Sequence, residues 1–490
     1  MLIKNNFLVQ SIINNYKKFP NKKIIFDKNK SLTYSQLIKL AVNNSIAVKN
    51  INSNYIPIVV DRNIESVVAI LSVLFSKKVF CPISSNFPKE RIQYILDTIN
   101  NQNLINCSKD KHVFKNQLKI NRKFQKNNFD IDVKNLDETF YLLFTSGSTG
   151  KPKGVKLSYK NIQNTLLWSK DYLKWSNHTI GIATEFSFDI SMFDLFSGLF
   201  YGIPMYIFQN PSDPFTSIKE IRKNNITSVF SVPTFFSNFV KYNLIKKNFN
   251  PLKRIISGGD FFSNKDILSW KNNQKNIDIY NVWGPTETSI VNSMYKITRK
   301  DQKILLEGKS IPVGKSHRLM NINVLDKKKI AVKKDIIGEI CMTGNCVSKG
   351  YIGDKKNSNN YFKYRNKNAF LTGDLGYFDK KNYLHIVGRK DNTIKISGYR
   401  VDTLEVENLV NLNFKINNSC LVKIDIFNNS ILCLFVETNK KINTTKILKF
   451  LKEKIPTYSI PKRIISIKKF PLNQNNKVDK NKIKLLLNEK

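Results

Sequence analysis

Ten consecutive residues, 145–154, combine hydroxyls, glycines and two lysines in the string TSGSTGKPKG. Glycines let backbone N–H groups turn toward an anion, hydroxyls donate hydrogen bonds and lysines supply positive charge. The string is not a GxxxxGK[ST] loop, because Pro152 follows Lys151 where that motif requires a hydroxyl. It therefore predicts a different phosphate-holding loop, with a flexible polar turn as the alternative. The candidate phosphate-binding residues are Thr145, Ser146, Gly147, Ser148, Thr149, Gly150, Lys151 and Lys153.

The segments on either side of this loop must position it. The preceding run FYLLF, residues 140–144, is short and apolar, which is typical of a buried strand. After the loop, the apolar side of a helix start is predicted by Val155, Leu157, Ile162, Leu166 and Leu167. A strand, a glycine-rich loop and a helix form a common arrangement for holding phosphates.

Asp189 lies inside the apolar aromatic segment FSFDISMFD, residues 186–194. A carboxylate in such surroundings costs free energy unless a partner compensates it. Two interpretations follow: Asp189 caps a helix whose next residues are apolar, or it pairs with a charged ligand. The spacing alone does not decide between them.

Three further segments end as strands that open into loops: FSVPTF at 230–235, RIISGGD at 254–260 and IYNVWGPTET at 279–288. Ligands of parallel α/β sheets bind at the ends of such strands. The last segment displays a hydroxyl on Thr286 and a carboxylate on Glu287 after a Gly-Pro turn. A carboxylate beside phosphates is a suitable ligand for Mg²⁺.

The string YLLFTSGSTGKPKGV, residues 141–155, resembles the signature of the adenylate-forming (AMP-binding) superfamily, which includes acyl-CoA synthetases, luciferases and amino-acid adenylation domains. Further motifs of that family follow in its order along the chain. The resemblance implies an α/β fold of the ANL type. Its large N-terminal domain, residues 1–390, would contain sheets flanked by helices and a β-rich subdomain. Residues 391–490 would form a small, mobile α+β lid.

The resemblance also implies residues for ATP, with Mg²⁺ as cofactor. Trp283 occupies the position of an aromatic ring that stacks on adenine, and Asn281 and Gly284 flank it. Thr286 would contact the α-phosphate and Glu287 would hold Mg²⁺. The matching ribose ligands are Asp374, in TGDLG at 372–376, and Arg389, in GRKD at 388–391.

In amino-acid adenylation domains, the aspartate that matches Asp189 pairs with the α-ammonium of the substrate. Fatty and aromatic acyl-CoA ligases usually lack this aspartate. Positions aligned with the substrate pocket of the family are Phe193, Ser257, Gly258, Tyr280 and Val282. The two aromatic rings suggest a small or medium apolar substrate.

The C-terminal motifs imply a lid that turns about Asp391, a thiol tunnel at Gly398 and an adenylation lysine at Lys477. Asn476 replaces the usual glycine before that lysine, but asparagine tolerates the left-handed conformation of a turn. Lys477 would bridge the carboxylate and the α-phosphate.

The net charge of +43, from 80 Lys+Arg against 37 Asp+Glu, is extreme. The lysines are scattered along the chain with abundant asparagine, which indicates a solvated basic surface, and no nucleic-acid-binding motif accompanies them. The six cysteines form no CxxC, and with four histidines they give no zinc-site spacing. We expect a cytoplasmic protein that neither binds nucleic acid nor inserts into a membrane.

The sequence therefore predicts a ligase that activates an amino acid as aminoacyl-AMP. The closest resemblance is to stand-alone D-alanine:carrier-protein ligases, so the expected acceptor is the phosphopantetheine thiol of an acidic carrier protein. Gly258 replaces a cysteine of those ligases, which predicts room for a larger or different substrate side chain. Two alternatives remain: an acyl-CoA synthetase for another small carboxylic acid, and a non-enzymatic basic binding protein.

Overall fold

The computed structural model describes residues 7–108, 114, 116–121, 135–145, 152–245, 251–316, 319–353, 359–390, 393–414, 416, 418–426, 429–439, 442–471 and 478–486. The chain divides into two compact units. The first comprises Met1–Ser85, Leu96–Phe144 and Gly154–Lys390, and the second comprises Asn86–Ile95, Thr145–Lys153 and Asp391–Lys490. Assignment of the C-terminal residues as a mobile lid stays a prediction.

The strands, in chain order, are β1 (Lys23–Phe26), β2 (Ser31–Thr33), β3 (Tyr55–Val60), β4 (Val79–Ser84), β5 (Leu104–Asn106), β6 (Gln117–Leu118), β7 (Thr139–Thr145), β8 (Lys153–Ser158), β9 (Ile180–Ile182), β10 (Met205–Ile207), β11 (Ser228–Ser231), β12 (Arg254–Ser257), β13 (Asp278–Trp283), β14 (Ser293–Ile297), β15 (Lys315–Ser316), β16 (Met320–Leu325), β17 (Gly338–Gly344), β18 (Tyr361–Tyr364), β19 (Lys367–Phe378), β20 (Leu384–Arg389), β21 (Thr393–Ile396), β22 (Tyr399–Asp402), β23 (Asn418–Ile426), β24 (Asn429–Glu437) and β25 (Arg463–Ile467).

The α-helices are α1 (Phe7–Lys18), α2 (Tyr34–Lys49), α3 (Ile64–Phe75), α4 (Lys89–Thr98), α5 (Tyr159–Leu173), α6 (Asp189–Tyr201), α7 (Pro214–Lys223), α8 (Pro233–Lys241), α9 (Asn264–Asn273), α10 (Gln302–Leu306), α11 (Thr403–Phe414), α12 (Thr444–Lys454) and α13 (Lys480–Leu485). No helix in the part of the chain that the structure describes has the length and apolar character needed to cross a lipid bilayer.

The largest sheet has the order β15-β14-β13-β12-β11-β9-β10-β1-β2. Strands β1, β10, β9, β11, β12 and β13 run parallel, and the antiparallel strands lie at the edges. From β9 the chain goes to β10 on one side and then to β11 on the other. Such a reversal opens a crevice at the carboxyl ends of β9 and β11, where α/β folds bind ligands.

A second sheet has the order β6-β5-β3-β4-β7-β8. Strand β3 is a continuous apolar run that is buried along nearly its whole length, as in a parallel strand covered on both faces. Helix α3 follows it and begins at the N-cap Asn63, whose side chain accepts a hydrogen bond from the backbone N–H of Ser66. The strand predicted at 140–144 is confirmed as β7.

The prediction that a helix starts directly after the phosphate loop is wrong, because strand β8 comes first. Val155 and Leu157 are buried on either side of the half-buried Lys156 in this strand, and Val155 pairs with Tyr351. Helix α5 begins only after Ser158, whose side chain forms a reciprocal capping box with Asn161. So short an apolar pattern fits the periodicity of a helix as well as that of a strand. The capping box at Ser158 decides where the helix begins.

The β-rich part of the first unit is an antiparallel sheet in which β17 and β19 are central and β20 pairs with β19. The register places Asp374 of β19 opposite Arg389 of β20. In the second unit, β23, β24 and β25 form a sheet whose apolar face packs with α11 and α12, through buried residues such as Leu434, Val406 and Leu451. The hairpin of β21 and β22 turns at Gly398, which has a φ of 80°.

Candidate functional site

Helix α6 follows β9, the strand at which the sheet order reverses, and carries Asp189 in its first turn. Its residues from Ile190 to Phe200 are all buried, including the polar side chain of Asp194. Its N-cap is Phe188, and Asp189 is the first helical residue. The cap interpretation of Asp189 is therefore wrong. A carboxylate in the first turn is nevertheless stabilised by the helix dipole.

Asp189 accepts a hydrogen bond from a residue far away in sequence. The Thr286 hydroxyl Oγ1 donates to Asp189 Oδ2 at 2.6 Å. Thr286 follows the end of β13 in the short 3₁₀ turn Thr286–Thr288. The structure thus brings together the residue predicted for the substrate ammonium and the residue predicted for the α-phosphate.

Glu287 is held rigidly beside this pair. Only 2% of its surface is exposed, and its carboxylate oxygen Oε1 accepts from the Tyr351 hydroxyl at 2.9 Å. Its backbone carbonyl accepts from the Ser348 N–H at 2.9 Å. Burial, aided by the charge of Glu287, raises the pKa of Tyr361. A fixed, buried carboxylate is a hard oxygen ligand that suits Mg²⁺. Within the described residues, no cluster of three or more His, Cys, Asp or Glu forms a metal site.

Asp374 is a further buried carboxylate of the first unit, with 2% of its surface exposed. Its Oδ1 accepts from Arg389 Nη1 at 2.5 Å, and its Oδ2 accepts from the Trp283 indole Nε1 at 2.8 Å. Arg389 also donates to the Thr372 carbonyl at 3.2 Å. Each carboxylate oxygen has two lone pairs, so these bonds leave capacity for the two ribose hydroxyls. Trp283, Asp374 and Arg389, predicted separately from the sequence, form one hydrogen-bonded group.

Aromatic rings line the region that the sequence predicts for the substrate side chain. Phe193 contacts Phe230 edge-to-face with 5.5 Å between the ring centroids. The Tyr280 hydroxyl donates to the Tyr172 carbonyl at 3.3 Å, and burial raises the pKa of Tyr280. Ser257 is fully buried, and its register partner Asn281 donates to the Pro312 carbonyl at 3.1 Å.

The prediction of extra room at Gly258 is wrong. A Cβ atom added to Gly258 would lie 2.6 Å from Val282 Cγ2 and 3.4 Å from a ring carbon of Phe230. The space that glycine leaves is therefore filled by Val282. A glycine here permits the close approach of Val282 on β13.

The family of this chain is shown by its similarity to known proteins. The sequence profile of the family described as AMP-binding enzyme matches residues 13–352, which is more than half of the chain. The chain belongs to the AMP-binding enzyme family. The predicted superfamily is confirmed, whereas the D-alanine ligase subtype is not established by this match.

Proteins similar to this AMP-binding enzyme include Gramicidin S synthase 2 and two solved proteins with adenylation domains. Gramicidin S synthase 2 from Brevibacillus brevis is 29% identical over 87% of this chain, and the chain spans only 10% of that protein's length. The Vibrio cholerae adenylation domain AlmE was solved with glycyl-adenosine-5'-phosphate and has a TM-score of 0.86 and 19% identity. The match covers 100% of this chain and 99% of the AlmE chain.

The second solved protein is holo-PA1221, which contains adenylation and PCP domains. It has a TM-score of 0.87 and 20% identity and covers 97% of this chain and 83% of its own. These structures confirm the predicted ANL fold.

Some of the predicted site residues of this AMP-binding enzyme lie outside the described part of the chain, namely residues 146–151, Asp391 and Lys477. Thr145 is the last residue of β7 and Lys153 is the first of β8. The roles given to these residues stay predictions, as do those of Gly398 and the pocket-lining side chains.

The sequence did not single out Tyr141 or Tyr351. Tyr141 is fully buried on β7, and its hydroxyl has no hydrogen-bond partner among the described residues. Burial raises its pKa, and the charge of Asp189 raises it further, so the two side chains are electrostatic neighbours. The one available signal for Tyr141 was its place on the strand before the phosphate loop. No local signal connects Tyr351 with Glu287.

Gly284 is expected to be essential for the loop that carries Thr286 and Glu287. A Cβ added there would lie 2.4 Å from the carbonyl oxygen of Ile290, which is backbone. Ile290 and Ser289 already have left-handed φ values of 72° and 76°. A shift of this turn would therefore cost conformational free energy. We expect Gly284→Ala to lower the free energy of unfolding by about 1–3 kcal/mol, measured by urea denaturation.

The matched control is Gly388→Ala. A Cβ at Gly388 meets no atom within 4 Å, and this glycine does not have a left-handed φ. We expect its free energy of unfolding to change by no more than about 0.5 kcal/mol. Equal stability of the two variants would show that the close approach of Gly284 to Ile290 is unimportant.

Proposed function

We propose that this protein activates an amino acid with ATP as aminoacyl-AMP and transfers the aminoacyl group to the phosphopantetheine thiol of a carrier protein. The observation that carries the proposal is the Asp189 carboxylate within 2.6 Å of the Thr286 hydroxyl. This contact supports a single site in which a carboxylate that could bind an ammonium ion lies next to a hydroxyl that could bind a phosphate. Family membership supports the adenylation chemistry.

In the first step, a carboxylate oxygen of the amino acid attacks the α-phosphorus of ATP. A new O–P bond forms, the bond to the bridging oxygen breaks, and pyrophosphate leaves. Both reactants are anions, so the protein must align them and neutralise their charge. Lys477 would provide the positive charge between the carboxylate and the α-phosphate, and Thr286 would donate a hydrogen bond to the α-phosphate.

The nucleotide would be held by the network around Asp374. Its carboxylate, oriented by Trp283 and Arg389, would accept hydrogen bonds from the ribose hydroxyls. Glu287 would hold Mg²⁺, which neutralises polyphosphate charge when bound. The buried Tyr351 hydroxyl orients the Glu287 carboxylate. The residues of the predicted phosphate loop, Thr145 to Lys153, would hold the β- and γ-phosphates.

In the second step, the carrier thiolate attacks the carbonyl carbon of the aminoacyl-AMP, and AMP leaves with the bridging oxygen. We propose that residues 391–490 act as a lid that turns about Asp391 between the two steps and admits the thiol past Gly398. The net charge of +43 favours an acidic carrier through long-range attraction. PA1221, which contains both adenylation and PCP domains, supports a carrier as acceptor.

D-alanine is the leading candidate for the amino acid. A small side chain is supported by the filled space at Gly258 and by the packed rings of Phe193 and Phe230. AlmE, which was solved with a glycyl adenylate, is a structurally similar protein with a small amino acid.

The proposal is tested by ATP–pyrophosphate exchange with a panel of amino acids that includes both alanine enantiomers. We expect exchange that depends on one small amino acid, and transfer to a holo-carrier in preference to coenzyme A. Exchange with deaminated acids alone, followed by transfer to coenzyme A, would instead indicate an acyl-CoA synthetase. Salt-sensitive nucleic-acid binding without any exchange would indicate a binding protein.

A further inference from the structure

The hydrogen bond from Thr286 to Asp189 has a defined direction. An ionised carboxylate can only accept hydrogen bonds, and a threonine hydroxyl has one hydrogen to donate. At 2.6 Å between Oγ1 and Oδ2, that hydrogen lies on the line to Asp189. The bond joins two elements that are 97 residues apart in the sequence, the first turn of α6 and the turn after β13.

This direction limits what Thr286 can do for a phosphate. While its hydrogen points to Asp189, the hydroxyl presents only lone pairs to any other neighbour. A phosphate oxygen is also an acceptor, so the two would repel each other. Thr286 can therefore donate to Asp189 or to the α-phosphate, but not to both at the same time.

We propose that the Thr286–Asp189 hydrogen bond couples the binding of the amino acid to the binding of ATP. This inference rests on the proposed function, in which Asp189 binds the ammonium and Thr286 binds the α-phosphate. An ammonium ion at Asp189 neutralises the carboxylate, so the bond from Thr286 loses its charge assistance. The hydroxyl then turns its hydrogen to the phosphate, and the affinity for ATP increases.

The surroundings of Asp189 strengthen this effect. Helix α6 is buried beyond its first turn, and the fully buried Tyr141 lies within the electrostatic range of the carboxylate. Hydrogen bonds to a charge are stronger in such partly buried surroundings than in water. Because linkage is reciprocal, bound ATP must raise the affinity for the amino acid by the same factor.

The test uses the full chain and two probes that cannot react with each other. One is the Mg²⁺ complex of α,β-methylene-ATP, and the other is the amino alcohol of the best amino acid in the exchange panel. The alcohol keeps the ammonium and lacks the carboxylate. Isothermal titration calorimetry gives the Kd of the nucleotide with and without saturating alcohol. We expect about a tenfold tightening in the unaltered protein.

Two variants separate coupling from simple loss of binding. Thr286→Ser keeps a hydroxyl and is expected to keep the tightening, whereas Thr286→Val, of similar shape, is expected to reduce it to less than about twofold. Binding of the amino alcohol alone to Thr286→Val reports that the variant is folded. The alcohol that lacks the amino group is expected to give no tightening with the unaltered protein.

Three results would overturn the coupling: full tightening in Thr286→Val, equal tightening by the alcohol without an amino group, or none in the unaltered protein. If exchange with an amino acid is observed while tightening is absent, the coupling is wrong and the proposed function stands. If no amino acid supports exchange, the proposed function fails, and the coupling fails with it.

Discussion

The variant Lys477→Ala is expected to lose amino-acid-dependent ATP–pyrophosphate exchange by a factor of about 10²–10³, since removal of one group that stabilises transition-state charge has effects of this size. Transfer of the aminoacyl group from added aminoacyl-AMP to a holo-carrier is expected to continue, because the role proposed for Lys477 is limited to the step in which two anions are brought together. Both rates are measured on the same preparation, by isotope exchange and by mass spectrometry of the carrier.

The matched control is Lys482→Ala, which removes an exposed lysine five residues away on α13. It is expected to leave both rates within about twofold, because an exposed surface charge contributes little. Loss of both half-reactions in Lys477→Ala to the same extent would contradict the role given to this lysine.

Replacement of Asp189 by asparagine is expected to lower kcat/KM for the amino acid by about 10²–10³, the effect of removing one partner of a desolvated charge pair. The asparagine keeps the size of the side chain and an acceptor for the Thr286 hydroxyl, but it loses the negative charge that the ammonium requires. The corresponding acid without an amino group is expected to be affected by less than about threefold. The preference between the two substrates is measured by competition.

Asp194→Asn provides the control on the same helix. Asp194 is only 2% exposed, and burial raises its pKa well above the usual range. The neutral form of its side chain is close in shape to asparagine, so we expect little change in preference. If the Asp189 and Asp194 variants lose amino-acid preference equally, the effect comes from disturbance of α6, and the ammonium site lies elsewhere.

The sequence predicted much of the fold because several elements are specified locally. Helix α3 is an apolar run with an asparagine cap, and β3 is a continuous buried strand. The segment IYNVWGPTET, residues 279–288, is correctly predicted to contain the end of a strand followed by a turn. In these places the apolar pattern and the cap or turn residue agree.

The contacts between side chains could not be predicted in the same way. Trp283 and Asp374 are 91 residues apart, and Tyr351 and Glu287 are 64 residues apart. Which buried polar groups satisfy each other depends on the register of strands in different sheets. Composition and spacing do not contain that information.

Local conflicts explain the remaining errors. Strand β8 was missed because its apolar residues fit a helical spacing as well as an alternating one. The extra room expected at Gly258 was inferred from the missing side chain alone, whereas Val282 fills that volume. Close packing of this kind is normal in protein interiors.

The central claim, that a substrate carboxylate attacks the α-phosphate of ATP, is tested most directly by isotope tracing. The protein is supplied with ATP, a holo-carrier and an amino acid whose carboxylate carries ¹⁸O, and the nucleotide product is analysed by mass spectrometry. Attack through the carboxylate followed by thiol transfer predicts one ¹⁸O atom in AMP. Formation of ADP with labelled phosphate, or of AMP without label, would contradict the account.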